Sequence, residues 1–287
     1  QLKKVKMNKF LTILLVFPFC ISGQFFDAKS KVVYGFNFGT YIADNNSAVI
    51  YDGYFSSYNN VKEFILSPPI NSNNSPREYI ETQFNDWEIR NSPLEMKYRP
   101  GVEFGLHIGI QNENIKYYLD YNFANYKAIG LLIVDEINPS NPSVNPENIE
   151  IGVTGEESRN FINFGFITNI LDEKEYHLGL PFFFQINQSK FKSNFISVNN
   201  QKYNIPVFSN SLNNTQNTSP SGMGIGGGSG IVLTLKVIND INLSLGYHLQ
   251  YSKIKMRFQN KEDFNEWGVQ HSIFARLIWT KSEIETN

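Results

Sequence analysis

His107, His177, His248 and His271 are the side chains in this chain best suited to acid–base or metal chemistry. Their spacing matches no metal motif, in which ligands recur within a few residues or one helical turn. A Ser-His-acid centre acting on lipid would need a nucleophile beside His271, and the neighbouring sequence supplies none. Gly222-Met223-Gly224-Ile225-Gly226-Gly227 fits G-x-G-x-x-G, but a phosphate cradle needs a strand before it and a helix N-terminus after it. Here an apolar, strand-like run follows. The reading is therefore no catalytic residue, no metal and no cofactor. Glu103, Asp120, Lys236 and Arg276 remain, each flanked in alternation by apolar residues on one side and by small polar ones on the other. Two acids and two bases on one buried register are expected to pair, because an isolated buried charge is costly.

The register comes from period-two alternation, which dominates from residue 32 onward. In 101–110, Val102, Phe104, Leu106, Ile108 and Ile110 share one face, while Gly101, Glu103, Gly105, His107 and Gly109 share the other. The same pattern recurs in 32–42, 116–126, 159–170, 176–188, 222–237, 241–255 and 268–279, which makes eight strands. The apolar faces are rich in Phe, Tyr, Leu and Ile; the opposite faces are mostly Gly, Asn, Ser and Gln. A soluble sandwich would bury the bulky face against a second sheet. Small polar residues suit instead a narrow crowded lumen, and bulky apolar ones a lipid boundary, as in a transmembrane β-barrel. Each segment is long enough for the ~9–11 residues that cross a bilayer at a tilt.

The connections alternate in length without exception: 43–95, 127–158, 189–221 and 256–267 are long, while 111–115, 171–175 and 238–240 are short. The expected fold is all-β, an eight-stranded antiparallel transmembrane β-barrel with long extracellular loops and short periplasmic turns. This topology puts all four charged residues in the periplasmic half of the lumen. Tyr34, Tyr98, Tyr117, Tyr247, Tyr251 and Trp279 are candidates for interfacial aromatics. Phe64, Tyr79, Phe84, Trp87, Phe208 and Trp267 fall in the long loops, where they are expected to pack the loops on themselves, with a short helix around 76–84.

Composition narrows the class further. Lys and Arg number 25 against 27 Asp and Glu in 287 residues, a net charge of −2 that gives no reason to expect a nucleic-acid partner. Charged residues are only 18% and aromatics 15%. Lys3, Lys4, Lys6 and Lys9 precede an apolar run that ends at Ile21-Ser22-Gly23, the arrangement of a secretory signal. Residues 1–23 are thus expected to be a signal peptide, with Met7 as the initiator, and 24–287 the barrel domain. The one cysteine, Cys20, falls within the signal, which leaves the barrel without disulfides.

A signal at 7–23 ending before Gln24, a first strand Tyr34-Gly35-Phe36-Asn37-Phe38-Gly39 and the segment Arg99-Pro100-Gly101-Val102-Glu103-Phe104-Gly105 give the chain a family likeness. It resembles the small outer-membrane barrels of the OmpA/OmpX type, especially the porin-family, PorT-like barrels of Bacteroidota. It departs from the two-domain OmpA pattern after Trp279, where a short polar tail follows. The resemblance implies a bacterial outer-membrane protein in contact with the lipid bilayer and lipopolysaccharide, inserted by the barrel-assembly machinery. The role expected is non-enzymatic, structural or surface-interacting, with an outer-membrane protein partner reached through the loops. The PorT-like likeness implies an alternative, an accessory part in protein secretion; a narrow solute channel and a barrel lipid-modifying enzyme are further alternatives.

Overall fold

The computed structural model describes residues 30–52, 61–66, 75–90, 94–112, 115–137, 147–205, 219–238, 240–258 and 263–280. The signal at 1–23 and Phe208 lie outside the described residues. The strands are β1 (Lys31–Ile42), β2 (Trp87–Ile89), β3 (Lys97–Tyr98), β4 (Gly101–Gln111), β5 (Ile115–Glu136) and β6 (Asn148–Asp172). They continue with β7 (Tyr176–Val198), β8 (Gln201–Asn204), β9 (Ser221–Ile238), β10 (Ile241–Met256) and β11 (Phe264–Thr280).

Eight of these strands form a closed antiparallel circuit, β1-β4-β5-β6-β7-β9-β10-β11, which returns to β1. The closing seam runs from Val33↔Thr280 to Ile42↔His271. Closure pairs the backbone groups that an open edge would leave unsatisfied in hydrocarbon. The faces follow the alternation in the sequence. Tyr34, Phe36 and Phe38 on β1, Val102 to Ile108 on β4 and Tyr117 to Tyr121 on β5 turn their apolar side chains outward; Phe38 is 66% exposed whereas the inward Asn37 is 4%. Tyr34 stacks on Trp279 toward one end of this apolar belt and Tyr251 on Trp267 toward the other, as paired interfacial girdles require. The chain is a transmembrane β-barrel.

Three strands run far past the belt. β5, β6 and β7 have 22, 25 and 23 residues, about twice what a bilayer crossing needs. The segments read from sequence as the loops 127–158 and 189–221 therefore carry the outer parts of β5, β6 and β7 and all of β8. β5 and β6 stay paired as far as Asp135↔Asn148, and β6 and β7 as far as Gly152↔Ser197. β2 adds to the top of β5 and β8 to the top of β7. The β7–β8 turn is Asn199-Asn200 with both φ positive, the conformation of a tight type I′ hairpin that Asn tolerates.

The reason lies in a reversal of polarity on the inner face of the same strands. Within the belt the inward positions of β5 are Asp120 and Asn122; past it they are Ala124, Tyr126, Ala128, Leu132 and Val134, all buried. β6 matches them with Ile151 and Val153. β7 does so with Ile196 and Val198 after a bulge opposite Glu156 and Glu157, which shifts its inward phase by one residue. Outside the membrane the outward positions of β6 and β7 turn polar (Glu150, Thr154, Glu156, Lys190), β5 keeps Ile129, Leu131 and Ile133 there, and the inner face becomes apolar, as in a soluble core.

The segment between β1 and β4 covers that inner face. It contains a 3-10 helix (Asn45–Asp52) and two short helices, α1 (Val61–Leu66) and α2 (Pro76–Gln83). Ser75 caps α2, accepting a bond from the Glu78 N–H at 3.1 Å, with Pro76 opening the first turn. Ala48, Ile50, Tyr51, Val61, Ile65, Ile80 and Phe84 form one core with the inner face of the extension. Phe64, Tyr79 and Trp87 pack against it, so these loop aromatics pack on the chain itself as expected, whereas Trp267 belongs to the outer girdle.

The belt and the extension should respond differently to charge. Leu106 and Leu131 are comparably exposed, at 54% and 43%, but only Leu106 lies in the belt. Leu106→Lys is expected to cost about 2–4 kcal/mol of folding stability in lipid, the usual penalty near the bilayer midplane. Leu131→Lys should cost under about 0.5 kcal/mol, as a surface change does. Denaturant titration in vesicles reads both, and equal costs would place the belt elsewhere.

Candidate functional site

Among the described residues, two interior clusters are built on buried ion pairs. The lower one lies within the belt, near the end that carries the short turns. Arg276 on β11 donates from Nε to Asn37 on β1 at 2.6 Å and from Nη2 to Asp120 on β5 at 2.6 Å. The other Asp120 oxygen meets His107 Nδ1 on β4 at 2.5 Å, and Asn37 donates to Asn122 at 2.8 Å. The chain of bonds crosses the lumen and ties the first and last strands to β4 and β5. Arg276, Asp120 and His107 are each at most 2% exposed.

Above and beside this network the lumen is filled by rings and amides. His248 sits between Phe183 and Phe274, at ring separations of 4.9 and 4.6 Å. Gln185 bridges Asn163 and Gln250. The glycines make this possible: a Cβ on Gly246 would lie 2.3 Å from the Phe274 ring, and one on Gly228 2.6 Å from the Phe183 ring. The G-x-G-x-x-G match is thus the start of β9, where a Cβ on Gly222 or Gly224 would run into the Lys255 or Lys253 carbonyl of the adjoining β10, so its glycines serve strand packing rather than a phosphate.

The upper cluster closes the barrel where the extension begins. Arg159 on β6 is fully buried, pairs through Nε with Glu157 at 2.7 Å, and donates to Tyr41, Gln270 and Ser47. Glu157 accepts from the hydroxyls of Tyr126, Tyr98 and Tyr51. The guanidinium lies 5.0 Å from the centre of the Tyr126 ring and 5.8 and 5.9 Å from those of Tyr41 and Tyr98. Each ion has several partners, the condition under which a buried pair repays its desolvation. The cluster joins β1, the 3-10 helix, β3, β5, β6 and β11, so it fastens the covering segment into the barrel mouth.

Burial and the neighbouring Glu157 carboxylate push the phenols of Tyr51 and Tyr98 well above the usual tyrosine value, because both disfavour a phenolate. A phenol whose folded pKa is raised contributes stability that is complete below its unfolded pKa of ~10 and is lost as the pH climbs beyond it. Spectrophotometric titration should show both tyrosines silent at pH 10, with the extension becoming protease-sensitive only when they ionise at higher pH. Ordinary titration of both near pH 10 in the intact fold would contradict their placement.

The four charges read from sequence do not form one set. Asp120 and Arg276 pair as expected. Glu103 lies at the extension end of β4 rather than the turn end, because β4 enters from that side at Gly101, and it accepts a bond from Ser272 instead of a cation. Lys236 is exposed at the turn-end rim of β9. His107, rather than a second basic residue, completes the network on Asp120. Tyr98 is likewise not interfacial: it is 8% exposed and bonded to Glu157. Sequence reading puts Glu157 inside the loop 127–158 and Arg159 at the start of a strand; the inward parity of Ile151, Val153, Gly155, Glu157 and Arg159 is the signal that joins them.

The remaining histidines are separated. His271 faces outward and bonds the Tyr247 hydroxyl at 2.7 Å, and His177 meets Asp172 at the turn-end rim. Among the described residues no three His, Cys, Asp or Glu side chains converge as metal ligands.

Comparison with models of known protein families gives no match, and comparison with curated protein sequences gives none either. Among solved structures, similarity extends to neisserial surface protein A, at 9% identity over 87% of this chain and 96% of that one, with a TM-score of 0.40. Ail of Yersinia pestis, in complex with the heparin analogue sucrose octasulfate, matches at 10% identity over 88% and 96%, with a TM-score of 0.29. The outer membrane protease OmpT of Escherichia coli matches at 9% over the same shares, with a TM-score of 0.27. The barrel is defined by the chain's own closed register, independently of these likenesses.

Proposed function

We propose that this chain is a non-enzymatic, non-conducting outer-membrane barrel that holds a rigid β-extension outside the cell as an interaction surface. The observation that carries the reading is the change of the inner face of β5, β6 and β7 from polar to apolar: strands that leave the lipid belt are kept as sheet by a core that the chain supplies itself. Loops needed only to reverse direction would not require one. The short turns then face the periplasm and the extension the exterior, with the bilayer and lipopolysaccharide around the belt and the assembly machinery as its route in. A lumen occupied by Arg276–Asp120, by Phe183, His248 and Phe274, and by the Arg159 cluster above them supports the absence of conduction. His107 and His248 are sealed within it, away from any substrate.

Two readouts test the proposal. Lys202→Cys on β8 should react with a membrane-impermeant maleimide on intact cells, since Lys202 is exposed at the tip of the extension. The purified barrel should give no steady conductance steps in a planar bilayer. Absence of labelling on cells that carry the folded protein would reverse the orientation, and stable steps would restore the channel.

A further inference from the structure

The turn end of the lumen contains a cavity of about 50 Å³ whose wall has an unusual composition. Lys116, Arg276 and His177 line it together with the amides of Gln111, Asn112, Asn169 and Asn242 and the hydroxyls of Thr234 and Ser244. Among the described residues no Asp or Glu lines it. We propose that this cavity is a binding site for a small tetrahedral oxyanion of the phosphate class.

The charge distribution points that way. Arg276 is 2% exposed and spends Nε on Asn37 and Nη2 on Asp120, so Asp120 is already engaged by the guanidinium and by His107. Among the described residues no carboxylate pairs with Lys116. Of the other inward acids, Glu157 is paired with Arg159 in the upper cluster, and Glu103 lies eight register positions further along β4 from Gln111, the partner of Lys116; at ~3.3 Å per residue that is about 26 Å away. Asp172 is held at the rim by His177. The cavity thus brings an ammonium and a guanidinium to one small space, with donor amides around them and a Thr234–Ser244 hydroxyl pair 2.7 Å apart on its wall. A single water needs ~10–15 Å³ of such space, so 50 Å³ admits one four-oxygen anion. Such an anion accepts charge-assisted bonds from both cations at once, which water, being neutral, cannot compensate. Lys supplies a point charge and Arg a directional fork, the usual division of labour at phosphate sites.

The test uses the full barrel refolded in dodecyl maltoside free of phosphate. Sodium phosphate is titrated against sodium chloride at matched ionic strength, and the heat-unfolding midpoint is followed. Expected is a saturable rise of about 5 °C at a hundredfold excess over Kd, with exchange broadening of the phosphate signal in ³¹P NMR. Lys116→Met should abolish both effects, and Thr234→Val should weaken Kd about tenfold through the lost hydroxyl donor. Repetition in phospholipid nanodiscs separates the sources: a midpoint already high without added phosphate, and lowered by Lys116→Met, identifies a lipid headgroup, whereas a rise only on addition identifies the free anion. A midpoint that follows ionic strength alone, or an equal phosphate response in folded Lys116→Met, overturns the site. Should that variant fail to fold, an unbroadened ³¹P signal with the unaltered barrel overturns it equally.

Discussion

Replacing Arg159 with Met is expected to destabilise the extension by about 3–5 kcal/mol, the usual result of breaking a buried ion pair from one side. Glu157 would be left 1% exposed with three phenols and no cation. The Ser47 hydroxyl and the Gln270 oxygen would each lose a charged donor. The damage should be local in the first instance, because the Arg159 cluster fastens the 3-10 helix and β3 to the barrel mouth while the belt keeps its own hydrogen bonds. Limited proteolysis should cut between β1 and β4 before the barrel unfolds. The double variant Arg159→Met with Glu157→Gln removes both charges and should recover much of the loss, since an amide keeps polar partners for the tyrosines. Equal protease resistance of Arg159→Met and the unaltered chain would show that the cluster does not hold the covering segment.

The second large effect is expected at the closing seam. Arg276→Met strands Asp120, fully buried, with only the His107 contact, and frees Asn37 from its charged donor. A cost of about 3 kcal/mol or more is expected. Because the bonds run from β11 across β1 and β4 to β5, the cost should appear as failure of the first and last strands to stay paired. The compact species that runs fast on an unboiled gel should convert to the slow, unfolded form at a lower temperature. Asp120→Asn should also destabilise, by stranding the guanidinium, and the double variant should lose less than the sum of the singles by about 1–3 kcal/mol. Additive losses would mean that the pair merely fills the lumen.

Much of this architecture is legible in residue parity. The sequence Val102, Phe104, Leu106, Ile108 against Glu103, Gly105, His107, Gly109 fixes which face of β4 meets lipid, since a one-residue slip would put a carboxylate and an imidazole into hydrocarbon. The same argument places Asp120 and Arg276 inside, and the alternation of long and short connections gives the up-and-down order. It fails where the solvent changes. Beyond the belt the strands keep their period of two but their inner face turns apolar at Ala128, Leu132 and Val134, so an apolar-out, polar-in pattern ends where the bilayer does although the strands continue.

The amino-acid order by itself thus determined the barrel, its lipid-facing side and the presence of charge in the lumen, because these depend on alternation and on the cost of placing polar groups in hydrocarbon. Only the tertiary structure decided which charges meet. Glu103 and Asp120 share an inward register yet stand at different heights, set by the end from which each strand enters, and Lys236 shares it too but stops at the rim. Arg159 finds Tyr41, Ser47, Tyr98, Tyr126 and Gln270 across five elements. Contacts of that kind depend on strand stagger, a bulge in β7 and the path of the covering segment, none of which is written in local sequence.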